Sequence, residues 1–488
     1  MSPVNSPSNE SPQSKAALPH VVILGAGPSG AGAAYQLVKK GRATVTVLEQ
    51  RDTVGGNAGS FELDGVYCDF GSHRLHPVVE PEIMQDLRDL LGEKLLYQTR
   101  HGRIRLQGRW IHFPLKPMDL LFGLPKSFAL RVLGDTARKV LPRDTSGPEN
   151  FATVLERGLG RTICQEFYFP YARKLWGMDP SELAATAAKR RVSGSSVTKI
   201  LRKVAKQIPG LKPESAGRFY YPRGGYGQIS QCLFEAAQAG GADFKFGASF
   251  KEIDRDGNGI KAVRYELAGQ EYTIPTQNVW STIPMSFLVK GMRPEAPPEV
   301  VTAASHLSSR GMILIYLVLD QDQFSTFDAY YFPEESIPVS RLSEPKNFTS
   351  STEPRGRTVL CAEVPSDPGR PEWDLSDDEL GRRLCQWMER AGLPKPGRVA
   401  RTVTRRLRFA YPIYTRDYEA NFSTMDEWLG GVEGVLTFGR QGLFAHDNTH
   451  HTLAMSYAAV KCFSSEGKFD HALWAKYRKE FETHVVED

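Results

Sequence analysis

Residues 20–50 read HVVILGAGPSGAGAAYQLVKKGRATVTVLEQ. An apolar strand runs into a glycine-rich turn, a helix follows, and a second apolar strand ends at Glu49. This order is typical of a βαβ unit, in which a helix joins two parallel strands. Within the turn, Gly25, Gly27 and Gly30 have the spacing G-x-G-x-x-G.

The glycine turn and Glu49 together favour a dinucleotide-binding site. Glycines allow a tight turn and let a pyrophosphate approach the helix N-terminus, while an acidic residue about twenty positions further along can bind a ribose hydroxyl. Glu49 indicates an adenosine ribose without a 2′-phosphate. A strand-to-helix turn without a ligand is the alternative, and the flanking strand and helix favour the dinucleotide.

The composition limits the class of protein. Of 488 residues, 41% are hydrophobic and 24% are charged, which excludes a mostly disordered or collagen-like chain. The length predicts two or three packed units. A formal net charge of +5, from 61 basic and 56 acidic residues, is too small to indicate a nucleic-acid partner. No run of about 18 uncharged apolar residues is present, so no membrane-spanning helix is expected.

The cysteines and the first residues bear on the cellular location. The six cysteines lie far apart and form no CxxC pair or Cys/His cluster, so neither a disulfide framework nor a metal site is predicted. Residues 1–19 are rich in Ser, Pro and Asn, lack the apolar core of a secretory signal, and are predicted to be a disordered tail. A cytoplasmic protein with reduced thiols is therefore expected.

A second glycine pair, Gly55-Gly56-Asn57-Ala58, follows shortly after Glu49. It resembles the pair that flavoproteins of the amine oxidase and protoporphyrinogen oxidase superfamily carry, where the chain passes beside the flavin phosphates. The resemblance implies FAD as the cofactor, with Gly55, Gly56 and Asn57 beside it. The usual residue after the pair is arginine, and Asn57 is a departure that the UDP-galactopyranose mutases share. A plain surface turn is the alternative.

Residues 69–77 read DFGSHRLHP. They resemble the G-x-H-x-x-H segment that lies against the flavin ring in UDP-galactopyranose mutases, so His73, Arg74 and His76 are the catalytic candidates. Two imidazoles and a guanidinium can direct hydrogen-bond donors at a flavin edge, where negative charge develops on reduction. Structural histidines that hold the backbone are the alternative.

Residues 171–180, YARKLWGMDP, resemble the Y-x-x-K-x-W-G-x-D-P signature of the mutases and their protoporphyrinogen oxidase-like relatives. The resemblance implies that Trp176, and Arg190 fourteen residues later, belong to a mobile loop over the substrate. A guanidinium there suits a diphosphate. A second arginine of the mutases is Gly194 in this chain, and a core role for Trp176 is the alternative.

A further segment resembles part of the same superfamily. Residues 219–227, FYYPRGGYG, resemble the segment that leads back into the flavin domain, and the strand after it implies Phe250 as a residue beside the adenine. Packing alone would also explain Phe250.

The closing turn is Phe438-Gly439-Arg440-Gln441-Gly442. It matches the G-R-x-G turn of these flavoproteins, which implies that Gly439 and Arg440 approach the cofactor phosphates. The next helix then points its positive end at the flavin ring, with Asn448 beside it. His446 and His450 stand where these flavoproteins usually carry Tyr and Asp, which implies different donors at the flavin, or ordinary helix-start residues.

The order of these motifs predicts an α/β protein with a discontinuous Rossmann-type FAD-binding domain. Its parts are residues 20–80, 215–290 and 430–488. Residues 81–214 are predicted to be a helical substrate or lid region, and residues 291–429 a sheet-bearing substrate domain. The active site is expected at the interface between them.

Two enzymatic functions are consistent with the motifs, and a flavin-bound structural or carrier protein without turnover is a third, less favoured interpretation. The first is an oxidoreductase of the protoporphyrinogen oxidase or amine oxidase type, in which a small-molecule substrate gives a hydride to the flavin. The alternative is a UDP-galactopyranose mutase-like enzyme that uses reduced FAD for a sugar-nucleotide isomerisation without net redox change. The oxidoreductase is preferred because the mutase signature is incomplete at Gly194. The substrate, the electron acceptor and the oligomeric state are left open by the sequence.

A basic run near Arg190 is a candidate partner surface. It comprises Lys189, Arg190, Arg191, Lys199, Arg202, Lys203 and Lys206. Such runs are usually solvated helix faces. Beside the amphipathic residues 118–140, peripheral contact with an anionic membrane is the less favoured alternative.

Overall fold

The computed structural model describes the chain in six parts. They are residues 17–115, 119, 123–138, 148–191, 217–257 and 259–486. Most of the predicted tail lies outside the described residues, as do Gly194 and the basic residues from Lys199 to Lys206. The fold is mixed α/β, as the sequence predicts.

Strands and helices are numbered here over the described residues. The strands are β1 (His20–Leu24), β2 (Thr44–Glu49), β3 (Ser60–Leu63), β4 (Val66–Asp69), β5 (Leu95–Thr99), β6 (Gly102–Leu106), β7 (Arg109–Phe113), β8 (Arg218–Pro222), β9 (Asp243–Phe246), β10 (Ser249–Asp256), β11 (Gly259–Leu267), β12 (Gln270–Pro275), β13 (Asn278–Ser281), β14 (Met292–Arg293), β15 (Ser309–Leu319), β16 (Ala329–Tyr331), β17 (Arg341–Ser343), β18 (Thr358–Pro365), β19 (Val399–Pro412) and β20 (Val435–Thr437). The helices are α1 (Pro28–Lys39), α2 (Pro81–Leu91), α3 (Lys126–Arg138), α4 (Phe151–Leu159), α5 (Arg161–Ile163), α6 (Phe169–Trp176), α7 (Ala185–Arg191), α8 (Gln228–Ala239), α9 (Met285–Lys290), α10 (Pro298–His306), α11 (Pro345–Thr349), α12 (Asp377–Arg390), α13 (Tyr418–Gly430), α14 (Gly439–Gly442), α15 (Thr449–Lys461) and α16 (His471–Phe481).

A parallel sheet of five strands, in the order β20-β13-β1-β2-β9, carries the glycine turn. Side chains of β1 alternate between two cores: Val21 and Ile23 belong to one, and Val22 and Leu24 to the other. Helix α1 packs against α15 and α8 on the first face, and α10 and α13 contribute to the second core. Burial on both faces explains why β1 reads as an uninterrupted apolar run.

The chain between β9 and β13 forms most of a four-stranded sheet in the order β12-β11-β10-β14. The sequence predicts β10, β11 and β13 from their apolar residues. Strand β12 is missed because it lies at the sheet edge and five of its six residues are exposed, so it lacks a buried face that would produce alternation.

A mostly antiparallel sheet of seven strands has the order β19-β15-β18-β17-β16-β6-β7. Strand β15 lies between β18 and β19 and is almost entirely buried. The prediction that residues 81–214 are helical is incomplete, since β5, β6 and β7 come from this stretch. In β6, GRIRL, buried and partly buried side chains alternate, so the strand covers a core on one face only.

Helices α4 to α7 form a separate core with Phe151, Trp176 and Tyr414. Helix α4 begins at Asn150, whose side chain accepts a hydrogen bond from Thr153 N while Thr153 caps the Asn150 backbone in return. A π-helical turn, Cys164–Tyr168, joins α5 to α6.

The β3–β4 hairpin connects the two large sheets. Val66 and Cys68 share a core with Met312 and Tyr316 of β15. The Tyr316 hydroxyl also donates a hydrogen bond of 2.6 Å to the Asp69 carbonyl. Residues 69–77 therefore lie where the parallel sheet and the seven-stranded sheet meet.

Candidate active site

The three glycines of the first turn meet three different requirements. Gly25 has φ +93°, a left-handed conformation that favours glycine. A Cβ on Gly30 would lie 1.8 Å from the Gly25 carbonyl oxygen, so only glycine allows α1 to start this close to the turn. A Cβ on Gly27 would meet nothing within 4 Å, which leaves open space against its main chain. This combination fits a pyrophosphate at the start of α1.

Glu49, at the end of β2, fixes the same turn. Its Oε2 accepts a hydrogen bond of 2.7 Å from Ala26 N and its Oε1 one of 2.9 Å from Arg51 N. The main chain after β9 also reaches this point, because Ala248 N donates to the Glu49 carbonyl at 2.9 Å. The backbone around Ala248 therefore lies beside Glu49, the residue predicted to bind the ribose. No sequence motif predicted this contact.

Gly55 and Gly56 lie against the first glycine turn. Gly55 N donates to the Ala26 carbonyl at 2.8 Å, and a Cβ on Gly56 would lie 3.3 Å from the Gly27 Cα. Both have positive φ, +107° and +54°. Gly55 and Gly56 therefore pack on the first glycine turn, and they do not form an isolated surface turn.

Asn57 links this turn to the seven-stranded sheet. Its Nδ2 donates to the Phe409 carbonyl at 2.8 Å, and its Oδ1 accepts from Arg51 at 3.4 Å. Arg51 also donates to the Gly56 carbonyl at 2.7 Å. Asn57, which stands where the superfamily usually carries an arginine, therefore links the glycine pair to β19.

The closing turn reaches the start of α1 from the other side. Gly439 has φ +82°, and a Cβ there would lie 2.5 Å from Ser29 Oγ. Arg440 donates to the main-chain carbonyls of Asp447 at 2.7 Å and Ala410 at 2.9 Å. Three predicted cofactor segments, at Gly25, Gly55 and Gly439, are thus brought together around the N-terminus of α1.

Helix α15 begins at Asn448, which forms a capping box with His451. Just before it, His446 N donates to the Tyr414 hydroxyl at 2.9 Å. His450 is buried, and burial lowers the pKa of its imidazole to about 3. At neutral pH the start of α15 therefore carries a neutral histidine beside the positive end of the helix.

Phe250 lies on β10, where its ring covers Gly291: a Cβ on Gly291 would be 2.7 Å from the ring. It packs on the second core of the parallel sheet. This position accounts for Phe250 by packing, and its contact with adenine stays a prediction.

His73 is held by two main-chain carbonyls. Its Nε2 lies 3.0 Å from the Asn57 oxygen and 3.0 Å from the Phe70 oxygen. Because both neighbours are acceptors, Nε2 carries the hydrogen. The ring stacks on Tyr226 with 5.3 Å between centroids. Burial, helped by the Arg341 charge, lowers the pKa of His73 to about 4, so the ring is neutral at pH 7.

Arg74 points toward the seven-stranded sheet and forms a buried ion pair. Its guanidinium is 3.2 Å from Asp328 Oδ1 and 3.3 Å from the Tyr331 hydroxyl, and it lies 4.8 Å from the centre of the Phe348 ring. Only 6% of the side chain is exposed. The structure therefore gives Arg74 a partner of opposite charge, and a catalytic contact for it stays a prediction.

His76 lies nearer the surface. Its Nδ1 accepts a hydrogen bond of 3.2 Å from Val78 N. The ring is 6.1 Å from that of His450, so the predicted two-histidine segment and the start of α15 adjoin.

Arg341 and Glu363 are site residues that the sequence did not reveal. Arg341 on β17 donates to both oxygens of Glu363 on β18, at 2.9 and 3.0 Å. Glu363 Oε1 also accepts from Ser72 N at 2.7 Å, directly beside His73. Burial opposes the charged form of Arg341, but Glu363 and Tyr331 outweigh it and raise its pKa. No motif signals this pair, because Ser72 and Glu363 are 291 residues apart.

Trp176 and Arg190 line one small cavity together with Tyr414, His446 and Val486. Trp176 is 5% exposed and packs edge-on against the Phe151 ring at 5.5 Å. The Arg190 guanidinium lies 6.0 Å from the centre of the Tyr414 ring. The structure thus brings the two residues together, and their contact with substrate stays a prediction.

Comparison with known proteins agrees with this geometry. The family model described as "Flavin containing amine oxidoreductase" matches residues 29–441. The chain belongs to this family. Its relatives are flavin-dependent oxidoreductases or mutases, so a flavin cofactor and an enzymatic function are supported. The predicted resemblance to the amine oxidase and protoporphyrinogen oxidase superfamily is confirmed.

Related proteins match this chain in sequence over limited stretches. Solved structures match its fold over most of its length. A probable UDP-galactopyranose mutase of Klebsiella pneumoniae is 29% identical over 35% of this chain and 44% of its own length. The chain spans about half the length of the curated relatives it matches. The crystal structure of reduced UDP-galactopyranose mutase aligns with a TM-score of 0.77 at 22% identity, over 91% of this chain and 93% of that one. The putative protoporphyrinogen oxidase from Exiguobacterium sp. 255-15 aligns at 0.67 and 19%, over 91% and 98%. At these identities the structural likeness shows the fold alone.

Among the described helices, none has both the length and the apolar character needed to span a lipid bilayer. Contact of the basic run with a membrane surface stays a prediction.

Proposed function

We propose that the protein binds FAD and is an oxidoreductase that removes a hydride from a small-molecule substrate. The observation that carries the FAD assignment is the convergence of three glycine segments on the start of α1, where Gly27 faces open space. FAD, when bound, supplies the acceptor for the hydride. The rest of the chemistry depends on side chains of this chain.

In this proposal the ribose hydroxyls meet Glu49, and the pyrophosphate meets the N-terminus of α1 and Arg440. The positive end of α15, at Asn448, would stabilise the negative charge that develops on the flavin on reduction. His73, with its hydrogen fixed on Nε2, keeps Nδ1 as the atom that can take up a proton. With a pKa of about 4 this nitrogen is a weak base at neutral pH, so in this proposal His73 acts mainly as a fixed, neutral hydrogen-bonding ring beside the glycine pair.

The pairing of buried arginines with carboxylates favours an oxidoreductase over a mutase. A sugar-nucleotide diphosphate needs guanidinium groups whose charge is not already compensated. Arg74 is paired with Asp328, and Arg341 with Glu363.

Two further arginines near the site, Arg190 and Arg440, are engaged in different ways. Burial opposes the charge of Arg190, and Tyr414 and nearby Asp447 raise its pKa in spite of that, so a carboxylate stands close to this arginine too. Arg440 donates to main-chain carbonyls and in this proposal serves the cofactor pyrophosphate. A substrate without a diphosphate is the better match for this site.

A mutase-like reaction is the second candidate. It is favoured by Asn57 and by three tyrosines, Tyr171, Tyr331 and Tyr411, which contribute to the raised pKa of Arg341. Phenol hydroxyls are suitable donors to phosphate oxygens.

The test is an anaerobic absorbance titration of the purified protein. A flavin band is expected, and its absence together with failure to take up added FAD would sink the proposal. Amines, porphyrinogens and polyenes are then added to the oxidised form, and bleaching identifies a hydride donor. UDP-galactofuranose is added to the dithionite-reduced form. Conversion by the reduced protein alone would replace the oxidoreductase with the mutase.

A further inference from the structure

Residues 484–486, which follow α16, touch both halves of the proposed site. His484 Nδ1 lies 3.0 Å from Asp447 Oδ2, immediately before α15. Val486 N donates a hydrogen bond of 2.8 Å to the Arg190 carbonyl at the end of α7. The 484–486 segment thus connects the proposed flavin side with the residues predicted to face substrate.

Asp447 is the centre of this connection. Its side chain is 1% exposed, and Oδ1 has no hydrogen-bond partner among the described residues. A buried carboxylate depends strongly on each donor it has, and here that donor is His484. The Asp447 carbonyl accepts from Arg440 at 2.7 Å, and its neighbour Asn448 caps α15. Movement of Asp447 therefore moves two predicted cofactor residues.

The same side chains superficially resemble a metal site. Asp447, His451 and His484 offer ligand atoms within 4.8 Å of one another. The two rings, however, stack nearly parallel, 4.1 Å apart and 12° between planes, an unsuitable arrangement around one ion. His451 Nδ1 accepts from Asn448 N at 3.3 Å, which leaves the hydrogen of the neutral ring on Nε2. The positive end of α15 also opposes a cation.

We propose that His484 is a positioning residue for the cofactor site, acting through Asp447 on Arg440 and Asn448. Val486 holds Arg190 from the same segment. This inference rests on the proposed FAD site. It assigns a role to residues that none of the sequence motifs includes.

The first test is fluorescence titration of the apoprotein with FAD. His484→Ala should weaken FAD binding about tenfold, because about 1.4 kcal/mol, the lower range for a hydrogen bond to a charged group, corresponds to a factor of ten. His484→Asn keeps an N–H donor and should recover most of the affinity. Thr483→Ala is the matched control, since its exposed hydroxyl bonds only to the Glu480 carbonyl, and it should bind as the wild type does.

A double-mutant cycle separates positioning from general destabilisation. In the Asp447→Ala background, His484→Ala should change FAD affinity by less than about twofold, because the acceptor of the His484 hydrogen bond is already gone. Equal effects in both backgrounds would overturn the assignment.

Amide hydrogen exchange of the apoprotein provides a readout without cofactor. His484→Ala should accelerate exchange at the amides of His446 and Asn448 about tenfold. Val486→Pro, which lacks the amide hydrogen, should accelerate exchange at the end of α7 and leave the amides of His446 and Asn448 unchanged.

The outcomes distinguish the two proposals. A wild-type protein that does not bind FAD contradicts the proposed function, while the exchange result still tests the segment. FAD binding with an unaffected His484→Ala variant, in both affinity and exchange, overturns the positioning role. Stoichiometric zinc in the purified protein that His484→Ala loses would overturn it as well, in favour of a metal site.

Discussion

His73 Nε2 and the Asn57 carbonyl oxygen lie 3.0 Å apart, so the first histidine of one motif is hydrogen-bonded to the glycine-pair segment of another. The Phe70 carbonyl approaches the same nitrogen at 3.0 Å. Two acceptors on one nitrogen fix the tautomer and the ring plane. Proton uptake by His73 is therefore confined to Nδ1.

Acid should destabilise the protein partly through His73. Its pKa is about 4 in the folded protein, against 6.5 for an exposed histidine, because burial disfavours the charged ring. The unfolded chain therefore binds this proton first, and stability present above pH 6.5 is lost as the pH falls toward 4. In His73→Gln, urea unfolding between about pH 7 and pH 5 should show a pH dependence smaller by up to about 1.4 kcal/mol per pH unit. Identical slopes would contradict a buried neutral ring.

His73 should affect turnover more than cofactor binding. In His73→Ala the three glycine segments remain, so FAD should still bind, whereas the imidazole that the Asn57 and Phe70 carbonyls hold beside the glycine pair is lost. The expected result is a flavin band of normal intensity with turnover lowered about 100-fold, the size of loss that follows when reacting groups are misplaced by about 1 Å. Stopped-flow reduction by the substrate found in the titration checks this. Unchanged turnover would remove His73 from the reacting groups.

Gly27 and Gly30 should respond to alanine in opposite ways. The Cβ of Gly27→Ala enters open space, so the apoprotein should unfold at nearly the wild-type urea concentration. FAD should bind at least about tenfold more weakly, because the methyl group occupies the proposed pyrophosphate position. The Cβ of Gly30→Ala would meet the Gly25 oxygen at 1.8 Å, and a loss of about 3 kcal/mol in the free energy of unfolding is expected. Urea unfolding and FAD titration of both variants test this pair, and equal responses would argue against a cofactor at Gly27.

Glu363 should be important for stability. Glu363→Gln leaves the Arg341 guanidinium buried without its counter-charge, and breaking such a pair costs about 3 kcal/mol or more. Asp64→Asn, which breaks the more exposed pair with Arg401, is the control and should cost less than about 1 kcal/mol. Denaturant unfolding measures both. Similar values for the two variants would mean that Arg341 finds another partner or reaches water.

The sequence was most informative where one strand or turn carries its own signal. Buried parallel strands such as β1 are continuous apolar runs, and Gly25 and Gly439 stand at backbone conformations that favour glycine. Strands β6 and β12 gave weak signals, because one covers a core on a single face and the other is mostly exposed. Local sequence patterns therefore identify strands that are buried on both faces more reliably than strands that are buried on one face.

The pairing of charges could not be predicted in the same way. Arg74 was selected for its place in a motif, yet its partner Asp328 is 254 residues away. Arg341 and Glu363 stand in strands without a motif, and only their meeting with Ser72 brings them to His73. Such partners are set by the packing of the seven-stranded sheet against the β3–β4 hairpin, which no local pattern encodes.

The order of strands in the parallel sheet also constrains how the chain folds during synthesis. Strand β20 pairs with β13, but its residues are made only after the whole seven-stranded sheet has been synthesised. Until then β13 has one unpaired edge, and unpaired strand edges are sites of aggregation. Fragments that stop before Val435 should therefore accumulate in inclusion bodies, because in them the edge of β13 stays open to pairing with other chains.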